Sequence, residues 1–310
     1  MDHIRRIAVI GECMVELKQV NNALQSSFGG DTLNTAVYLA RLTKDYDVSI
    51  CYATGLGQDP FSRAMLATWQ QEGVASDLVT LSADKLPGLY AIEIAKNGER
   101  HFYYWRNDSA ARYWLDEQDL TCLVEALSQC QLIYLSGISM AILTPQGRER
   151  LMTLLSLCHQ KGLKIAFDNN YRPALWQDSQ DAQAYYQRVL SLTDIAFLTF
   201  DDEQWLWGDD DEQQTIQRTK GFGVKEIVIK RGAKPCYLVN EEGDCQQVSA
   251  ISVENIIDTT AAGDSFSAAY LAKRILGGTT QQAAQAGHTL AGRVIQHSGA
   301  IIPRHAMPEI

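Results

Sequence analysis

Short apolar runs bounded by Gly, Asp or Asn recur along the chain at residues 7–10, 132–135, 163–167, 195–198 and 226–229, each of strand length. Between them lie amphipathic stretches at 34–42, 146–159 and 183–192, each long enough for two or more helical turns. Strands that alternate with helices predict an α/β fold, with a mainly parallel central sheet covered by helices on both faces.

Two segments break this rhythm. Leu89-Tyr90-Ala91-Ile92-Glu93-Ile94 and His101-Phe102-Tyr103-Tyr104-Trp105-Arg106 flank Lys96-Asn97-Gly98-Glu99. Asn-Gly between two β-rich runs is a strong hairpin signal. Residues 15–28, directly after the first strand, form another extended-looking insertion. Together, at about 13–30 and 86–108, these segments predict a small β-sheet lid over the carboxyl edge of the main sheet, within one domain spanning 1–310.

Composition narrows the partners. A chain of 310 residues with 46% hydrophobic content can bury one large core. A formal net charge of -10 argues against nucleic acid or an anionic membrane surface, both of which need an excess of Lys and Arg. Cys13, Cys51, Cys122, Cys130, Cys158, Cys236 and Cys245 are scattered, with no C-x-x-C pair, and read as reduced, mostly buried thiols. The first residues run straight into the 7–10 strand and then Glu12, too short an apolar segment for a signal peptide. No stretch reaches the ~20 apolar residues of a membrane helix, so a cytoplasmic protein is expected. The acidic run Asp209-Asp210-Asp211-Glu212 reads as a solvated loop.

Candidate chemistry concentrates at Asp258-Thr259-Thr260-Ala261-Ala262-Gly263-Asp264, which precedes the small and apolar helical pattern at 265–272. At a helix N-terminus, unpaired backbone N–H groups and the helix dipole attract anions, and Ala261-Ala262-Gly263 carries no bulk to keep a phosphate away. Asp264 at the same end is expected to stay ionised at neutral pH. It can act as a base toward a hydroxyl, or simply as a helix N-cap. Gly29-Gly30 offers a backbone hinge, and Asp31 and Asn34 offer donors and acceptors to hydroxyls; a loop followed by a capped helix is the alternative.

The run Asp258 to Asp264, continued by Ser265-Phe266-Ser267-Ala268-Ala269, resembles the C-terminal signature of the PfkB-type, ribokinase-like carbohydrate kinases. Gly29-Gly30-Asp31-Thr32-Leu33-Asn34-Thr35-Ala36 resembles the other signature of that family, and the resemblance extends over residues 7–303. It implies a ribokinase-like fold with a β lid, and transfer of the γ-phosphate of ATP to a sugar hydroxyl. Asp264 would be the base, Ala261, Ala262 and Gly263 would bind the transferring phosphoryl, and Gly29, Gly30, Asp31 and Asn34 would hold the sugar.

Local matches at 28–35, 102–107 and 167–173 resemble the bacterial branch that phosphorylates 2-keto-3-deoxygluconate at its 6-hydroxyl. That acid carries a carboxylate, for which Arg106 and Arg172 are suitable clamps. Tyr90 and Tyr104 are expected on the inner face of the lid, Tyr104 rather than Tyr103 because it shares strand parity with Arg106. Plainer alternatives are a surface salt bridge for Arg106, lid core for the tyrosines and pairing with Asp168 for Arg172. Rival functions are fructokinase or ribokinase activity, and a non-catalytic sugar-acid sensor.

Neither G-x-x-x-x-G-K-[ST] nor a protein-kinase glycine loop occurs. The resemblance instead implies nucleotide contacts from Asn170, Arg172, Thr199, Lys230, Gly232, Ala261, Gly263 and His288. It also implies Mg²⁺ bridging phosphates, with Glu203 reaching it through water although Phe200 stands where the family often has Asn. A monovalent cation such as K⁺ near the Asp258 loop, and a homo-oligomer formed through the lid, complete the expectations.

Overall fold

A computed structural model describes residues 1, 4–20, 23–94 and 100–310. In chain order its strands begin with β1 (Arg6–Ile10), β2 (Met14–Val20), β3 (Ala23–Gly29), β4 (Ser49–Leu56), β5 (Val74–Ala75), β6 (Val79–Leu81) and β7 (Leu89–Ile94). They continue with β8 (Arg100–Trp105), β9 (Leu132–Ser136), β10 (Lys164–Asp168), β11 (Ile195–Thr199), β12 (Glu226–Lys230), β13 (Cys236–Val239) and β14 (Cys245–Val248). The helices are α1 (Asp31–Thr43), α2 (Pro60–Glu72), α3 (Ala110–Tyr113), α4 (Leu120–Leu127), α5 (Gly137–Ala141) and α6 (Pro145–Gln160). They end with α7 (Ser179–Leu190), α8 (Phe200–Trp207), α9 (Glu212–Gly221), α10 (Ala262–Ile275) and α11 (Thr280–Val294).

The main sheet runs β14-β13-β12-β11-β10-β9-β1-β4-β5, with β6 also on β4, and is parallel from β12 through β5. β13 and β14 add an antiparallel edge. Alternate residues of β1 feed two cores: Ile7 and Val9 pack with residues of α1, α2, α10 and α11, while Ala8 and Ile10 pack with residues of α4, α6 and α7. Such strands are apolar along their whole length because water touches neither face.

The second sheet has the order β3-β2-β7-β8. β2 pairs antiparallel with β3 and parallel with β7, and β7 pairs antiparallel with β8 in a register that sets Tyr90 opposite Tyr104. The Asn97-Gly98 turn lies outside the described residues. Tyr103 points to the opposite face from Tyr104, and its hydroxyl donates to Glu93 at 2.8 Å.

Two expectations need correction. The strand β4 was not anticipated, because Cys51, Ala53, Thr54 and Gly55 dilute its apolar signal, yet it lies buried between β1 and the short edge strands β5 and β6. The run 209–212 is more than a solvated loop: Asp209 is buried, accepting from Thr215 Oγ1 at 2.6 Å and pairing with Arg218, and Asp211 caps α9 through Gln214 N–H at 2.9 Å.

The chain leaves β1 toward β4 on one side and later returns to β9 on the other. In an open α/β sheet, ligands bind at the carboxyl ends of the strands where the strand order reverses in this way. The lid covers that end.

Candidate active site

A cleft of about 470 Å³ lies between the lid and the carboxyl ends of the parallel strands. Among its walls are Gly30, Asp31, Asn34, Tyr90, Tyr104, Arg106, Asn170, Arg172, Thr199, Lys230 and Ala261 to Asp264, which the structure thus brings together.

The floor is the start of α10. Ala261 at the N-cap is left-handed, with φ 61°, a conformation that costs an L-residue roughly 1–2 kcal/mol. This turn leaves the N–H groups of Gly263 and Asp264 without a protein acceptor among the described residues, so they form a cradle for an anion. A Cβ on Gly263 would lie 3.4 Å from Lys230 Nζ, which places the ammonium beside that cradle. Lys230 ends β12 and donates to Asp168 Oδ2 at 2.7 Å; the same oxygen accepts from Ser267 Oγ at 2.9 Å and Tyr134 O–H at 3.3 Å. An anchored ammonium beside free N–H donors fits a phosphate.

Asp264 sits three positions into α10 and is not its N-cap. Its Oδ2 accepts from Asn34 Nδ2 at 2.8 Å. Removal of water by the cleft walls, then repulsion from Asp31, pushes its carboxyl up to about 8, against a smaller opposing pull from Asn34. The direction of this shift runs against the expectation of an ordinary carboxylate that is fully ionised at neutral pH. The helix-end donors face the cradle, and the carboxyl itself receives one donor amid several acids. Asn34, on the first turn of α1, keeps its buried Oδ1 without a partner among the described residues, an acceptor left for a hydroxyl.

Asp31 accepts from Asn170 Nδ2 at 2.6 Å, and Asn170 is held at a positive φ of 28°. The Gly29-Gly30 pair works by close approach rather than by hinge freedom. A Cβ on Gly29 would overlap the Tyr90 hydroxyl, and one on Gly30 would overlap the carbonyl oxygen of Glu12, while Gly30 itself is extended at φ 166°.

From the lid, Tyr90 donates its hydroxyl to Glu16, and its ring lies 5.8 Å from that of Tyr104. Burial and the Glu16 carboxylate hold the Tyr90 phenol far above its usual value. Arg106 is no surface salt bridge: it is buried, pairs with Glu12 and lies 5.8 Å from the Tyr104 ring. Arg172 is 49% exposed and 3.6 Å from Asp202, not paired with Asp168. Burial, opposed by Arg172, raises the Asp202 carboxyl.

Four expected residues, Gly29, Glu203, His288 and Gly232, lie outside the cleft walls. Glu203 is buried between Arg218 and Asn169, whose Nδ2 donates to it at 2.7 Å, so a water-mediated role at a metal does not fit its position. His288 Nε2 is 3.1 Å from the Val248 carbonyl and its ring packs on Phe266, so it is a core residue. Gly232 occupies a left-handed turn, φ 58°, after β12. Conversely Glu12, Phe102, Asp168 and Asp202 line the cleft and were not singled out as ligand-binding residues. Only the parity of Phe102 with Tyr104 was a usable signal for any of them. Among the described residues no group of three or more His, Cys, Asp or Glu could hold a metal, and no helix is long and apolar enough to cross a membrane.

A family model described as pfkB family carbohydrate kinase matches residues 4–307. The chain is 53% identical to a 2-dehydro-3-deoxygluconokinase of Dickeya dadantii over 98% of this chain and 99% of that one. It is 50% identical to the 2-dehydro-3-deoxygluconokinase of Escherichia coli K12 over the same shares. Among solved structures, a PfkB protein from Polaromonas sp. JS666 superposes with a TM-score of 0.82 at 22% identity, over 94% of this chain and 96% of that one.

Proposed function

Because the chain belongs to the pfkB family of carbohydrate kinases, we infer that it uses ATP to phosphorylate 2-keto-3-deoxygluconate, also called 2-dehydro-3-deoxygluconate, at the 6-hydroxyl. The observation that carries the chemistry is the Asp264 carboxyl, bonded to Asn34 and adjoining a cradle of free N–H groups beside Lys230. The substrate assignment rests on the relatives and on a lid face that combines Tyr104 with Arg106.

In this mechanism the Asp264 carboxylate, held by Asn34 Nδ2, orients the acceptor hydroxyl and receives its proton as the new O–P bond forms and the bond from the γ-phosphorus to the ADP oxygen breaks, while Asn34 Oδ1 serves as an acceptor for a neighbouring sugar hydroxyl. Positioning matters more than basicity, because the hydroxyl loses its proton late in a loose transition state. Charge gathering on the transferring phosphoryl oxygens meets the N–H groups of Gly263 and Asp264 and the Lys230 ammonium. Arg106 and Arg172 face the sugar carboxylate, and the lid aromatics exclude water. Asp168 and Asp202, which line the cleft, would help hold a Mg²⁺ brought in with the nucleotide, and that ion would supply positive charge to the phosphate oxygens that the acceptor must approach. A monovalent cation near the Asp258 loop completes the proposal.

The test is ATP consumption with 2-keto-3-deoxygluconate, fructose and ribose side by side, with the phosphorylated carbon located by NMR. Turnover with the sugar acid far above that with either neutral sugar, and phosphate on C6, is expected. Preference for fructose or ribose overturns the substrate assignment.

A further inference from the structure

Glu12 follows β1 and would pass for the polar end of a strand. Its side chain is 1% exposed, yet it sits where every leg of the lid meets the cleft. It pairs with Arg106 at the end of β8 and accepts from Ser109 Oγ at 2.5 Å just beyond. A Cβ on Gly88, before β7, would lie 2.8 Å from Glu12 Oε1, and the Glu12 carbonyl occupies the space that a Cβ on Gly30 would need. Among the described residues, Arg106 Nε and Glu12 Oε2 are buried and make no hydrogen bond, so the pair is held by the charge contact of Arg106 Nη2 with Glu12.

We propose that Glu12 is a positioning residue that fixes the Arg106 guanidinium, with Ser109 fixing Glu12 in turn, so that the remaining donors of Arg106 are offered to the carboxylate of the sugar acid. The proposal rests on the sugar-acid reading above and deepens it. A guanidinium whose Nη2 is held against a buried carboxylate has fewer orientations open to it, and its fork matches a second carboxylate only in the right one. Without Glu12, a nearly buried arginine loses its partner and moves toward solvent or the other acids of the cleft.

The experiment is a double-mutant cycle on KM for 2-keto-3-deoxygluconate, using wild type, Glu12→Gln, Arg106→Ala and the double variant, with KM for ATP and kcat read in parallel. Glu12→Gln keeps the size of the side chain and an acceptor for Ser109. It is expected to raise KM for the sugar acid roughly tenfold or more, the cost of leaving a buried guanidinium without its opposite charge, with KM for ATP and kcat changing by no more than about threefold. In the Arg106→Ala background the same substitution is expected to change the sugar KM by less than about twofold. Equal fold-losses in both backgrounds, or an unchanged or lower KM in Glu12→Gln alone, overturn the proposal.

Should Glu12→Gln fail to fold, Ser109→Ala gives the same decision. It should raise the sugar KM about threefold in the wild-type background and not in Arg106→Ala. An effect of equal size in both backgrounds overturns the proposal. Failure of the underlying substrate reading is separately visible, as a wild-type enzyme that does not turn over the sugar acid or an Arg106→Ala variant with unaltered KM.

Discussion

At the scale of single residues, the decisive property is the proton on Asp264. With its carboxyl pushed up to about 8 by lost hydration and by Asp31, the free protein keeps more of the acid form near neutral pH than an ordinary aspartate does, and the base form grows as pH rises. The kcat/KM for the sugar is therefore predicted to climb with pH and level off above about 8; a flat profile between pH 6 and 9 contradicts this cause. Stability moves the other way. An Asp with a raised folded value bears the penalty of ionisation increasingly as pH rises from its unfolded value toward its folded one. Asp264→Asn never ionises, so thermal melts should find it more stable than wild type, with a gap that widens from pH 4 to pH 8; a gap independent of pH would count against the burial argument. That Asp264, Asn34, Arg106 and Arg172 would share one cleft was legible because local motifs carry them. Glu12, Asp168 and Asp202 were not, because their meaning comes from partners distant in the chain: Arg106, Lys230 and Arg172. Glu203 and His288 misled for the same reason, since burial among Arg218, Asn169 and Phe266 leaves no local trace.

At the scale of elements, the site depends on how two helices begin. α1 starts at Gly30 pressed against the Glu12 carbonyl, and that contact sets where Asn34 meets Asp264. Gly30→Ala must push α1 off the strand end, so a loss of about 1–3 kcal/mol in denaturant unfolding is expected, with a raised KM for the sugar. Unchanged stability would mean that the α1 entry yields freely. α10 starts from left-handed Ala261, and its unpaired N–H groups make the cradle. The strands at β1, β9, β10, β11 and β12 were legible within about a residue, because fully covered parallel strands are continuously apolar. The antiparallel edge β13–β14 escaped notice: β14 carries Gln246 and Gln247, exposed at the sheet margin, with little apolar signal. The lid was legible through its aromatic hairpin and strand parity, even though its turn lies outside the described residues.

At the scale of the whole molecule, charge governs what must come with the substrates. The chain carries a formal net charge of -10, and Glu12, Asp31, Asp168, Asp202 and Asp264 share the cleft with Arg106, Arg172 and Lys230. Asp168 and Glu12 already engage Lys230 and Arg106. Two anionic substrates entering this field need added positive charge, so chelation by EDTA should abolish ATP consumption and Mg²⁺ should restore it. Turnover that persists in EDTA contradicts the metal requirement. The central claim, that Asp264 takes the proton of the sugar hydroxyl, is tested most directly by the single-turnover rate of Asp264→Asn with 2-keto-3-deoxygluconate and ATP, at sugar concentrations shown by calorimetry to saturate the variant. A rate roughly 10²–10⁴-fold below wild type, with the sugar still bound, is the predicted result; a near-normal rate would contradict it.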